Sequence, residues 1–92
     1  MEIITVCGMG FGTSLMLKMT VDDILSEEGI KAEVNAWDLG SVKGRTADLI
    51  IASEDLKSSL VGMEGRKIFI KILTDTEEIR SKLLQELGNI NS

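Results

Sequence analysis

Strand-type and helix-type apolar patterns alternate along this 92-residue chain from one end to the other, the signature of parallel strands joined by helical crossovers. Residues 2–6 read as a first strand. Residues 14–28 carry Leu17, Val21, Ile24 and Leu25 at helical spacing, and Gly29 supplies the stop. Residues 31–37 set Ala32, Val34 and Ala36 against Lys31, Glu33 and Asn35, the period-two pattern of an edge strand with one wet face. Residues 38–46 read as a loop with at most one short helical turn. Residues 48–52 are apolar after Asp48, as a central strand covered on both faces should be. Residues 53–60 have the period of a short helix. Residues 67–72 form a last strand with Ile68, Ile70 and Ile72 on one face, and lysines at 67 and 71 suit an edge. Thr74, Asp75, Thr76 and Glu77 form a capping-box pattern ahead of a helix whose Ile79, Leu83 and Leu87 share one face and which Gly88 and Asn89 should end. Short connections and right-handed crossovers then favour an α/β fold in one domain over residues 1–92. Its sheet is four-stranded and parallel, in the order 2-1-3-4, with helices on both faces.

Composition narrows the chemistry. Hydrophobic residues at 43% suffice for one core and one domain. A net charge of −5 and only 3% aromatic residues leave no basic stripe or stacking platform, so nucleic acid is not an expected partner. The chain has no histidine and one cysteine, which removes the usual zinc and copper ligand sets, so neither metal nor cofactor is expected. A single cysteine makes no internal disulfide, and the apolar runs are strand-sized, so the expected location is the cytoplasm.

That cysteine, Cys7, stands where the first strand breaks into Gly8, Met9, Gly10, Phe11, Gly12, Thr13 and Ser14. Alternating glycines let backbone N–H groups converge on one point, and the amino end of the following helix favours an anion. The same groups stabilise a thiolate, lowering the thiol pKa below its free value of about 8.5. Cys7 is therefore the expected nucleophile and residues 8–14 the expected phosphate cradle. The hydroxyls of Thr13 and Ser14 serve either phosphate or the helix cap. Burial as a small hydrophobe is the alternative role for Cys7. Packing, however, does not explain glycines at 8, 10 and 12.

Familiar phosphate loops do not match. A mononucleotide loop needs Lys where Thr13 stands, and a dinucleotide loop needs Gly-x-Gly-x-x-Gly where the glycines alternate. A low-molecular-weight phosphatase needs Arg after Cys-x5, and position 13 is again Thr13. Without that bidentate fork a phosphocysteine should hydrolyse slowly, so the loop suits a carrier of phosphate.

With Cys7-Gly8-Met9-Gly10-Phe11-Gly12-Thr13-Ser14, the Lys18-Met19 and Val21-Asp22 spacing, and Ala47-Asp48-Leu49-Ile50-Ile51-Ala52-Ser53, the chain resembles the cytoplasmic enzyme IIB components of the bacterial phosphoenolpyruvate-dependent sugar phosphotransferase system, ascorbate and galactitol type. The resemblance implies a fold shared with the low-molecular-weight phosphatases. It also implies that Cys7 accepts phosphate from a phosphohistidine on a IIA component. The phosphate then passes to sugar bound by a membrane-embedded IIC component, with which the chain would associate. A phosphatase on the same fold and a non-enzymatic thiol-based regulatory module are the competing readings. Phe11 stands where ascorbate members carry Gln.

Other residues carry two readings each. Met9, Phe11, Met16 and Met19 lie off the Leu17/Val21/Leu25 face, as either an adaptable docking patch around Cys7 or partly buried side chains. Lys18 is a surface lysine or a phosphate contact, and Ser53 a helix cap or a phosphate contact. Trp37 is expected to anchor local packing. Glu54 and Asp55 should point away from a phosphorylated thiol.

Overall fold

In a computed structural model, residues 1–7, 11–42, 44, 46–62, 65–72 and 75–91 are described, with the side chains of all but 7, 11–14, 38, 39, 41, 90 and 91. The elements follow in the order β1 (Glu2–Cys7), α1 (Phe11–Glu27), β2 (Glu33–Asp38), α2 (Leu39–Val42), β3 (Leu49–Ser53), a 3-10 turn (Glu54–Leu56), β4 (Arg66–Ile70) and α3 (Thr76–Asn91). The four strands form one sheet in the order β2-β1-β3-β4, all neighbours parallel. This is the expected topology.

Handedness distributes the helices. The chain moves from β1 out to β2, then back past β1 to β3 and on to β4. Right-handed crossovers in opposite directions must pass over opposite faces of the sheet. Accordingly α1 packs with α3 on one face, where Leu17, Val21, Ile24, Leu25, Ile79, Leu83 and Leu87 meet Ile3, Leu49, Ile51, Ile68 and Ile70. The other face is covered by shorter pieces: Val42 of α2, Leu56 of the 3-10 turn and Leu60 pack on Ile4, Val6, Ile50 and Ala52. Trp37 and Phe69 pack against this second core, so the outer face of β2 is partly covered and Trp37 is the anchor expected of it. All five residues of β3 are buried, as a strand between two packed faces requires.

Several boundaries move from their expected places. α1 begins at Phe11 rather than residue 14 and ends at Glu27, followed by Gly29, the expected stop, whose φ of +69° and the Ile30 N–H to Leu25 C=O bond of 2.9 Å close a Schellman turn. The helix expected over 53–60 shrinks to the 3-10 turn followed by irregular chain, held by the Leu60 N–H to Leu56 C=O bond of 3.1 Å. Gly65 precedes β4 with φ +104°, and a Cβ there would stand 2.8 Å from the carbonyl oxygen of Ala47, so only glycine fits.

β4 ends at Ile70, and Ile72 is exposed rather than aligned with Ile68 and Ile70. The cause is Glu78. Its carboxylate accepts from the amides of Lys71 (3.0 Å) and Ile72 (3.2 Å), which pulls the chain off the sheet edge and into α3. The cap also shifts by one residue. Asp75 Oδ1 accepts from the Glu78 amide at 3.2 Å, three residues on, so Asp75 caps α3; Thr74, the expected cap, lies outside the described residues. α3 continues through Gly88 and Asn89 to Asn91 instead of ending there.

The Lys82 ammonium (2.8 Å) and then the two amides hold the Glu78 carboxyl at about 2, against an ordinary 4.5. A depressed folded-state value adds stability above the unfolded pKa, and that stability disappears as pH falls through about 2. The urea midpoint should therefore fall between about pH 5 and pH 2 more steeply in the wild type than in Glu78→Gln. Parallel pH profiles for the two proteins would show that Glu78 does not carry this linkage.

Candidate functional site

In an open parallel sheet the ligand crevice opens at the carboxyl ends of the strands, between neighbours whose connections leave toward opposite faces. Here those neighbours are β1 and β3. β1 leads to α1 on one face, and β3 leads to the 3-10 turn on the other. Cys7 is the last residue of β1, in register with Asp38 of β2. Ser53 is the last residue of β3. The β1–β3 register ends with Val6 beside Ala52, and Cys7 and Ser53 are the next residue of each strand. The expected nucleophile thus ends a strand at the topological switch point.

Of the expected cradle, Gly8, Met9 and Gly10 lie outside the described residues. Phe11, Gly12, Thr13 and Ser14 are the first turn of α1, not loop, so any amides they offer come from a helix start. The leading N–H groups of a helix have no acceptor within it and carry its positive dipole end. No acidic residue stands in the first turn of α1, whereas α3 begins with Glu77 and Glu78. The amino end of α1 therefore has no carboxylate of its own turn to answer the dipole.

Around this end, Leu15, Met16 and Met19 are exposed at 52, 56 and 59%, because the opposite side of α1 carries the core contacts. Of the two readings open to the methionines, exposure holds for Met16 and Met19. Met9 and the side chain of Phe11 lie outside the described residues. Lys18 pairs with Asp22 at 2.7 Å, one turn further along the helix, a half-exposed pair contributing about 0.3–0.5 kcal/mol. Glu54 and Asp55 are exposed.

Ser53 departs from its expected role as a cap. It occupies the cap position of the 3-10 turn with φ −70° and ψ 149°, but its side chain makes no cap hydrogen bond. It is 7% exposed, and its Oγ has no hydrogen-bond partner. The signal in the sequence is a polar residue ending an otherwise apolar central strand, though spacing alone does not separate cap from ligand. Among the described residues no group of His, Cys, Asp and Glu could hold a metal ion, and no helix is long and apolar enough to cross a membrane.

The architecture defines an open parallel α/β domain whose crevice opens at the carboxyl edge of its first and third strands. Known proteins narrow this. The family described as "PTS system, Lactose/Cellobiose specific IIB subunit" matches residues 2–85. The ascorbate-specific PTS system EIIB component of Mycoplasma pneumoniae is 38% identical over 90 residues, covering 95% of each chain. The protein of the same name from Salmonella choleraesuis is 34% identical over 73 residues, 77% of this chain and 71% of its own. Among solved structures, the lactose-specific IIB component domain from Streptococcus pneumoniae shares the fold with a TM-score of 0.64 at 17% identity, over 96% of this chain and 95% of its own. The chain belongs to the PTS IIB family and is a component of a phosphotransferase system.

Proposed function

We propose that Cys7 is the phosphoacceptor of a cytoplasmic IIB component, taking phosphate from a phosphohistidine of a IIA protein and passing it to a sugar bound by a membrane IIC partner. The observation that carries this reading is the position of Cys7. It ends β1 at the switch point, immediately before the glycine-spaced segment and an α1 amino end with no acidic residue in its first turn. In the transfer the thiolate attacks phosphorus in line. The S–P bond forms as the N–P bond breaks, and the electron pair of that bond stays on the imidazole nitrogen of the donor. The thiol proton has already gone to solvent, favoured by the helix dipole. Transfer onward reverses the roles: a sugar hydroxyl oxygen attacks, the O–P bond forms as the S–P bond breaks with its electron pair on sulfur, and the hydroxyl proton is released to solvent. Residues 8–14 form the cradle in this reading, the amides of 11–14 as the first helical turn.

The substrate is proposed as an ascorbate- or galactitol-type sugar. Ascorbate is favoured by the names of the relatives at 38 and 34% identity, while the likeness to the lactose-specific domain is one of fold. The phosphatase alternative is disfavoured because Thr13 stands where the phosphatase fork requires Arg.

Incubation with phosphoenolpyruvate and the cascade ending in the IIA component of an ascorbate system should add one phosphoryl group to the intact mass, mapped by peptide analysis to Cys7. The purified protein should leave p-nitrophenyl phosphate unhydrolysed. Rapid turnover of that ester would favour the phosphatase reading, and an unchanged mass would favour a thiol-based regulator.

A further inference from the structure

Ser53 is buried without a hydrogen-bond partner, at the carboxyl end of the central strand. A hydroxyl removed from water and left unpaired opposes folding, so its retention needs a partner that the resting protein lacks. The two structural explanations do not apply. The Ser53 side chain makes no cap bond to the 3-10 turn that follows it. Nor is it held like Thr5, the other buried polar residue among the described residues, whose hydroxyl donates to the Asn35 carbonyl at 3.5 Å.

Its surroundings point to the missing partner. Strand residues alternate between faces, so Ser53 continues the series Leu49 and Ile51, which pack toward α1. It therefore faces the side of the sheet from which α1 starts. Val6 beside Ala52 is the last pair of the β1–β3 register, and Ser53 and Cys7 are the residues that follow it on two strands spaced about 4.8 Å apart. A group carried on the neighbouring strand end at that distance is within reach of a hydroxyl.

We propose that the Ser53 hydroxyl donates a hydrogen bond to an oxygen of the phosphoryl group while Cys7 carries it. The inference rests on the phosphocysteine reading above and adds a binding residue from a second strand, distant in sequence from residues 8–14. A neutral hydroxyl donating to an anionic oxygen makes a charge-assisted bond. The bond exists only in the phosphorylated state, so it shifts the transfer equilibrium toward phosphocysteine while leaving the resting form to bear an unpaired hydroxyl.

The test is the equilibrium constant for phosphoryl exchange between a phosphorylated IIA donor and the wild type, Ser53→Ala or Ser53→Thr. Loss of the bond should lower the constant about 10-fold in Ser53→Ala, and Ser53→Thr, which keeps the hydroxyl, should recover most of it. Unphosphorylated Ser53→Ala should melt no lower than the wild type, because the deleted hydroxyl had no partner to lose. In the wild type itself, the Ser53 hydroxyl proton should become observable by NMR on phosphorylation. A Ser53→Ala protein that exchanges phosphate with the wild-type constant overturns the Ser53 proposal alone. A wild type that accepts no phosphate overturns the phosphocysteine reading and this inference with it.

Discussion

Cys7→Ser should lose phosphoryl acceptance from the donor by about 1,000-fold or more, equivalent to about 4 kcal/mol of transition-state stabilisation. A thiol near neutral pH is already a few per cent thiolate, and a helix amino end raises that fraction. A serine hydroxyl is ionised far less and needs a base. The chain contains no histidine to act as one. Rapid-quench labelling from a phosphorylated donor measures the rate, and the melting temperature of the variant shows whether the fold is kept. Labelling of Cys7→Ser within tenfold of the wild type would place the phosphoacceptor elsewhere in the chain.

Ile51→Ala should destabilise the protein by about 2–5 kcal/mol. Ile51 is fully buried at the middle of β3, paired with Thr5 on one side and Ile68 on the other, and it packs beneath α1 and α3. A domain of this size has about 5–15 kcal/mol in hand, and each kcal/mol moves the melting temperature by about 4–8 °C. A fall of about 10 °C or more is expected. Met19→Ala is the comparison, since Met19 is 59% exposed on the outer side of α1 and its truncation should change stability by at most about 0.5 kcal/mol. Equal losses in the two variants would contradict the core assignment of β3.

The topology was readable from pattern because each element has one dominant apolar spacing. Leu17, Val21, Ile24 and Leu25 repeat with the helical period, and the run from Leu49 to Ala52 is apolar on both faces. Those spacings require a buried stripe and a covered strand respectively, and the crossover rule then leaves few orders for four parallel strands. The boundaries were less legible because local preferences there are weak and tertiary contacts outweigh them. Gly88 costs a helix about 1 kcal/mol, less than the burial of Leu87 just before it contributes, so α3 runs on. Both Thr74 and Asp75 are suitable caps followed three residues later by glutamate. The second is used in a turn where the Glu78 carboxylate is engaged by two amides beyond β4, a contact between chain segments that no local pattern encodes.

The same division runs through the site. A lone cysteine after a strand and before a glycine-spaced helix start is a chemical statement that residue types and order make alone, since nucleophile, backbone amides and dipole are all local. Ser53 is 46 residues away along the chain and reads equally well as a cap or as a ligand. Parallel pairing of β1 with β3 brings the two strand ends together, and burial removes water as a partner for the hydroxyl. Neither effect is a property of the segment that carries Ser53. Residue chemistry points to Cys7 as the proposed phosphoacceptor, and long-range strand pairing brings the end of β3, which carries Ser53, next to the end of β1.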